Sequence, residues 1–532
     1  MTTRPDEVVG PLERGLAVLR AVVAGDGGRR GVGEVARATG LARATVDRVA
    51  TTLTVLGVLR AEGRELLLAP GAAELGNAYL DSCGLPALLG PHAAALAERL
   101  DEPVSLAVPD GDGVRFLAQA NRRRALAFAF RPGDLLPAGR CAPGALFAAE
   151  GSPPAGDDGF AARVREVRER GVAVDDQLIE PGLVSVALAV RDPAGAVVCA
   201  VSVVSHTSRH DAAALEALAL PPLRETVAAM EATLAARTAD GTGGTDGLAA
   251  VVRETGPDGT GKESDAALKE ELGSGFLRSL ARGLDVLRAF GAVRGPARLT
   301  DLARLTGLPR ATARRSLITL CHLGYVREDS GGFVLLPRVL ELGHARLAAL
   351  TLPEIATPHL VRLVRTVRES ASLAVLDGDD IRYVARVAGS RIMHIDIVVG
   401  TRLPAYATSM GRVLLAALPE RERDARLGRI TPEALTPRTL TGAGELREAV
   451  AVTAERGFGW IEEELEEGLR SVAVPVRDGA GRVVAALNIA LNAGRCSPEE
   501  SLAALLPQLR ETSGRISADL AAVGRHAPVP TS

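Results

Sequence analysis

Cysteine is scarce and scattered: Cys83, Cys141, Cys199, Cys321 and Cys496 are an odd number, and no two stand in a CxxC spacing. This argues against a disulfide framework or a structural zinc site and for a reducing compartment. Charge of one sign is also lacking. The 62 Lys and Arg nearly balance the 65 Asp and Glu, a net charge of −3, which excludes a polybasic nucleic-acid coat but not a basic patch on one face. Met1 to Pro11 is polar and carries Asp6 and Glu7, so no secretory h-region opens the chain. Apolar runs are short and broken by Arg, Gly or Pro, so no segment is long enough to cross a bilayer, and the expected location is cytoplasmic. Catalytic signatures are missing as well: no GxSxG, no P-loop, and no GxGxxG following a strand. The acidic run Glu462-Glu463-Glu464 with Glu466 and Glu467 has no neighbouring His or Asp to complete a metal site. The expectation is a protein that is not an enzyme, with no catalytic residue, metal or cofactor.

What is present is a globular composition, 47% hydrophobic and 24% charged, over a length of 532 residues that suggests roughly three to five domains. An internal repeat organises them. Leu12-Glu13-Arg14-Gly15-Leu16-Ala17-Val18-Leu19-Arg20-Ala21 returns as Leu280-Ala281-Arg282-Gly283-Leu284-Asp285-Val286-Leu287-Arg288-Ala289 at an offset of 268. Val35 to Thr45 returns as Leu302 to Thr312 at 267, and Gly182-Leu183-Val184-Ser185-Val186-Ala187 returns as Gly468-Leu469-Arg470-Ser471-Val472-Ala473 at 286. The slip from 267 to 286 means the first copy lacks 19 residues, where the second reads Pro419 to about Leu440. Between the copies lies a Gly/Thr/Asp-rich stretch with the composition of a flexible coil.

Each copy opens with the grammar of a winged helix-turn-helix. In the second, Leu280, Leu284 and Leu287 mark an amphipathic helix, and Gly295-Pro296 breaks the chain. Leu299-Thr300 opens a short helix, with Thr300 as its cap, and Thr306-Gly307-Leu308 turns. A helix then runs from about Pro309 to Leu323, with Pro309 suited to its first position, and a hairpin turning at Asp329 to Gly332 follows. Arg side chains on such a helix bind guanine edges bidentately, while hydroxyls and other cations hold phosphates. The candidate DNA contacts are Arg310, Thr312, Arg314, Arg315 and Ser316 in the second copy, and Arg43, Thr45, Arg48 and Thr51 in the first, where Asp47 intrudes. Phe276 to Ala345 holds eleven Lys and Arg against five Asp and Glu, whereas Gly10 to Leu80 holds nine against seven. The second head is therefore expected to grip phosphates harder.

These residues resemble the IclR family of bacterial regulators, the second half most closely, through Gly400 to Leu415 and Glu463 to Val476. That half is similar to the branch regulating protocatechuate, 4-hydroxybenzoate and β-ketoadipate catabolism. The resemblance implies an α+β, multidomain chain: two winged helix-turn-helix domains, each followed by a GAF-like α/β effector-binding domain. The expected boundaries are 10–75, 80–236 (shortened), a linker 237–275, 276–345 and 350–524. The implied function is a DNA-binding regulator, repressor or activator, controlled by a small organic acid of aromatic catabolism. The implied partners are a double-stranded operator and either a homo-oligomer or an intrachain pseudo-dimer. The rival reading is a ligand-binding protein that acts through protein contacts with little operator binding.

For the effector, Thr408-Ser409-Met410-Gly411 precedes an apolar helix whose free N–H groups suit an anion. Arg391 offers a fork for a carboxylate, and Ile395, Ile397, Tyr406 and Trp460 offer an apolar wall. Glu463 joins the set through the resembling segment. Thr408 and Ser409 read equally as plain N-caps, and Trp460 as core. In the first copy Gly139-Arg140-Cys141-Ala142-Pro143 replaces Tyr406 to Met410, and its effector site is expected to be degenerate.

Overall fold

The computed structural model describes residues 7–122, 130–151, 158–239, 275–389 and 397–531. The linker expected at 237–275 falls almost wholly outside them, as does Arg391. The chain divides into two units, Met1–Ala349 and Leu350–Ser532, so the second winged helix shares a unit with the entire first copy.

In the second head, helix Arg278–Ala289 buries Leu280, Leu284, Val286 and Leu287, the stripe its 3.6-residue period dictates. Helix Leu299–Thr306 is capped by Arg298 rather than Thr300, and it ends on Gly307 at φ 63°, a left-handed turn suited to glycine. The recognition helix is Arg310–His322, with Pro309 one residue outside it at the N-cap. Strands Val326–Asp329 and Gly332–Leu335 form the wing. The first head repeats this with helices Gly10–Val23, Val32–Thr39 and Arg43–Val55, and its wing carries a third strand, Arg29–Gly31.

The two heads pack on each other through their first helices. A Cβ on Gly15 would lie 2.2 Å from Leu280 Cδ1, and one on Gly283 would lie 2.5 Å from Leu12 Cδ1. Two cross-copy hydrogen bonds mirror each other: Val9 N–H donates to Thr319 Oγ1 at 2.9 Å, and Leu277 N–H donates to Thr52 Oγ1 at 3.0 Å. When residue i touches j' and j touches i', the interface is isologous, as in a two-fold dimer. Here both partners belong to one polypeptide. The connecting helix Ala73–Cys83 continues the contact, with Gly76 against the His344 ring.

Each sensory domain is a six-stranded antiparallel sheet with one strand order. In the first the spatial order is Leu135–Pro137, Gly113–Ala120, Val104–Asp110, Val197–His206, Leu183–Arg191, Ala173–Asp176. In the second it is Arg402–Pro404, Asp380–Val387, Ser370–Asp377, Val483–Asn492, Leu469–Arg477, Gly459–Glu462. Side chains alternate across a strand, so Ala374, Ala473 and Ala486 meet the core of helix Ser409–Ala416 on one face. Helices Leu352–Val367 and Pro498–Val523 pack on each other and against the opposite face of the sheet, where Ser501 meets Arg470. The segment absent from the first copy is helix Glu420–Arg429 and the loop that leads to helix Ala443–Arg456.

Candidate functional site

On the recognition helices, Arg43, Arg48 and Thr51 of the first copy and Arg310, Arg314 and Arg315 of the second are exposed, with Thr45 and Thr312 half-buried. Asp47 is exposed among them. Ser316 departs from the expectation. It is 2% exposed and its hydroxyl donates to Thr312 O at 3.2 Å, because it lies on the inward stripe with Ala313, Leu317 and Leu320. It has no surface to offer DNA.

The second sensory domain holds a cavity of about 790 Å³ on the same sheet face as helix Ser409–Ala416. Its floor is Ser370 and Ser372 from one central strand and Asn488 and Ala490 from the next, residues that share a face by their spacing of two. Tyr383, Arg386 and Ile397 form one wall, and the turn Glu466-Glu467-Gly468 forms another. At the rim Arg495 donates to Glu369 at 2.8 Å; burial pushes the Glu369 carboxyl up, and the guanidinium pulls it back. Asn488 is 5% exposed, and among the described residues its Oδ1 has no hydrogen-bond partner.

The residues singled out from sequence sit beside this cavity and brace it. Thr408 is the N-cap of its helix, accepting from Gly411 N at 3.0 Å, so it occupies one of the N–H groups an anion would need. Gly411 lets the helix approach the preceding turn, since a Cβ there would lie 2.1 Å from Ala405 O. Ser409 is buried against Ser471, Oγ to Oγ 2.8 Å, and Met410 is 1% exposed in the core. Tyr406 turns outward to the extra loop, where its hydroxyl donates to Glu433 O at 3.1 Å and accepts from Glu433 N at 3.0 Å. Trp460 points to the opposite face of the sheet, under the Arg470 guanidinium at 5.5 Å, because alternation puts it with Arg470 and Val472. It is not part of the cavity wall. Glu463, at φ 58°, folds back so that its carboxylate accepts from Gly468 N at 2.9 Å and pairs with Arg438 at 3.2 Å, shaping the cavity turn without lining the cavity. Of the anticipated apolar wall, Ile397 lines the cavity, and Ile395 lies outside the described residues.

Sequence reading missed two things here. One is the cavity floor, although a Ser-x-Ser and an Asn on the inner face of otherwise apolar strands is a visible signal. The other is the Arg412–Glu464 pair, 4% and 8% exposed. Arg412 donates through Nη1 to Glu464 Oε1 at 2.8 Å and also pairs through Nη2 with Oε2. Desolvation raises the Glu464 carboxyl, and the Arg412 charge opposes the rise. This pair ties the helix to the strand end that carries the cavity turn. Thr436 and Thr439 from the extra loop each donate at 2.6 Å to the carbonyls of Glu463 and Glu464.

Comparison with known proteins agrees with this architecture. The model of the IclR helix-turn-helix domain matches residues 11–63 and again 279–330. The model described as the bacterial transcriptional regulator IclR C-terminal matches 155–232 and 344–518. The Pca regulon regulatory protein of Pseudomonas putida is 43% identical over 239 residues, 45% of this chain and 82% of that relative. The p-hydroxybenzoate hydroxylase transcriptional activator of Acinetobacter baylyi is 34% identical over 246 residues, 45% of this chain and 91% of that protein. A crystal structure of a transcriptional regulator from Rhodococcus sp. RHA1 is 52% identical, covers 47% of this chain and 100% of its own, and superposes with a TM-score of 0.45. Relatives that span under half of this chain yet most of their own length fit a chain that carries the family's domains twice.

Proposed function

Because the chain belongs to the IclR family of bacterial transcriptional regulators, we propose that it is an operator-binding regulator whose controlling ligand is a small aromatic carboxylate held in the second sensory domain. The observation that carries this is the cavity itself. Arg386 supplies the planar fork that suits a carboxylate, Tyr383 and Ile397 supply an apolar wall for a ring, and Ser370, Ser372 and Asn488 supply a polar floor for a ring hydroxyl. The relatives named for the Pca regulon and for p-hydroxybenzoate hydroxylase support the same ligand class. Control follows if the ligand favours one arrangement of the heads over another, since a ligand moves an equilibrium only by its differential affinity.

Thermal melting of the full chain with hydroxybenzoates and with aliphatic dicarboxylates tests this reading. Hydroxybenzoates are expected to raise the melting temperature, by about 3 kcal/mol of linkage at a hundredfold excess over the dissociation constant. Arg386→Ala is expected to remove the shift. A shift that survives Arg386→Ala, or one given only by dicarboxylates, contradicts the assignment.

A further inference from the structure

Over the first six residues of the recognition helices, the paired heads differ in charge at one outward position. Counted from its first residue, the first recognition helix reads Arg43, Ala44, Thr45, Val46, Asp47, Arg48, and the second reads Arg310, Ala311, Thr312, Ala313, Arg314, Arg315. The exposed cations at the first and sixth positions agree, and so do the threonines at the third. Position five is exposed in both helices and carries opposite charge, Asp47 against Arg314. The reciprocal packing of Gly15 on Leu280 and Gly283 on Leu12, with the mirrored Thr319 and Thr52 hydrogen bonds, relates the two helices as the members of a two-fold dimer are related. Two helices so related meet the same base step in two inverted half-sites.

We propose that one chain reads a whole operator by itself, and that Asp47 and Arg314 break its palindrome at a single mirrored step. This rests on the operator-binding reading above. An arginine at that step prefers the O6 and N7 acceptors of guanine, whereas a carboxylate accepts from the N4 amino group of cytosine and repels a guanine edge. The half-site under the second head therefore carries guanine where the half-site under the first head carries cytosine. The fixed pairing of heads gives the asymmetric operator one orientation, so the chain binds with a defined polarity relative to the gene it controls. Arg314 is ready for this contact: it meets the carboxylate of Glu7 at 2.9 Å with both side chains about half exposed, and such surface pairs give way at small cost.

The test is selection of duplexes from a random library by the full chain, with the mass of the selected complex measured alongside. The expected motif is two inverted half-sites that carry guanine in one and cytosine in the other at one mirrored step, with one chain per duplex. Asp47→Arg is expected to return a perfect palindrome with guanine at both positions, and Arg314→Asp one with cytosine at both. Each variant should lose about tenfold or more on the wild-type site, the discrimination one good base contact provides. Both residues are exposed, so an unchanged melting temperature certifies the fold. A wild-type motif symmetric at that step, a motif untouched by Asp47→Arg, or two chains per duplex overturns the proposal and leaves operator binding standing. Failure to enrich any duplex overturns operator binding and the proposal together.

Discussion

In the first sensory domain the register slips between Leu106 and Ala107 and again between Val190 and Arg191. In the second it slips between Leu373 and Ala374 and between Val476 and Arg477, which are the same places. Gln177 and Glu463 take the same left-handed φ, at 59° and 58°. Rim pairs also match, Glu102 with Arg209 at 2.7 Å and Glu369 with Arg495 at 2.8 Å. Against this shared backbone, the end of the sheet that carries the cavity has been rebuilt as a set. Arg412 corresponds to Ala145 and Glu464 to Leu178, so both members of the buried ion pair are gone together. Tyr406 corresponds to Gly139, and the loop it anchored is the missing segment. Where Tyr383 and Ile397 line the cavity, their counterparts Phe116 and Phe130 stack at 4.2 Å. Asn488 corresponds to Ser202 and Arg386 to Gln119, which removes the guanidinium fork and moves the amide from one strand to another. Duplicated sheets thus keep their bulges and turns, and a group of mutually dependent polar residues is kept or lost whole. The physical reason is that removing one partner of a buried pair strands the other charge, whereas removing both is nearly neutral.

This comparison can be broken at either end. The largest effect is expected from Arg412→Ala, which leaves Glu464 buried without its cation and should destabilise the second sensory domain by about 3–5 kcal/mol. Adding Glu464→Leu, the first copy's arrangement, should restore most of that loss in chemical denaturation. A double variant as unstable as the single would show that the pair is not lost as a unit. A smaller effect is expected in the first domain, where Asp175 replaces Ile461. Its carboxyl is 1% exposed; burial pushes it up to about 6, against a hydrogen bond from Leu178 N and the charge of Arg163. Folding raises this pKa, so the folded state holds a proton that the unfolded chain releases. The contribution of this group to stability is then greatest below about pH 4, declines as pH rises to about 6, and is level above. Asp175→Asn should flatten that slope and stabilise the first domain near pH 7 by about 2 kcal/mol. A slope unchanged by Asp175→Asn would place the proton elsewhere.

Much of this was legible in sequence because repeats and helical stripes are local signals. The duplication, both winged helices, the turn at Gly307 and the deleted segment could all be read from spacing alone. The cavity was harder, since its floor joins Ser370 and Ser372 to Asn488 across more than a hundred residues, and only strand pairing brings them together. Trp460 was misleading for a related reason. Which face it takes depends on the register with Val472, and one residue of slip would have turned it to the face that carries helix Ser409–Ala416. Ser316 looked like a DNA contact by residue type, but its position in the helix turned it inward. The intrachain pairing of heads left only a faint trace, Gly15 and Gly283 within apolar helices, because a helix that buries itself on a partner looks like one that buries itself on its own core.

The second sensory domain is proposed to be the one of the two that holds the ligand. Hydrogen exchange of the full chain with and without a bound hydroxybenzoate tests it most directly. The account predicts slowed exchange in the strands and turn at 369–372, 466–469 and 486–492, and none in their counterparts at 102–105, 180–183 and 200–206. Protection of the first set of counterparts in place of the second domain would contradict it.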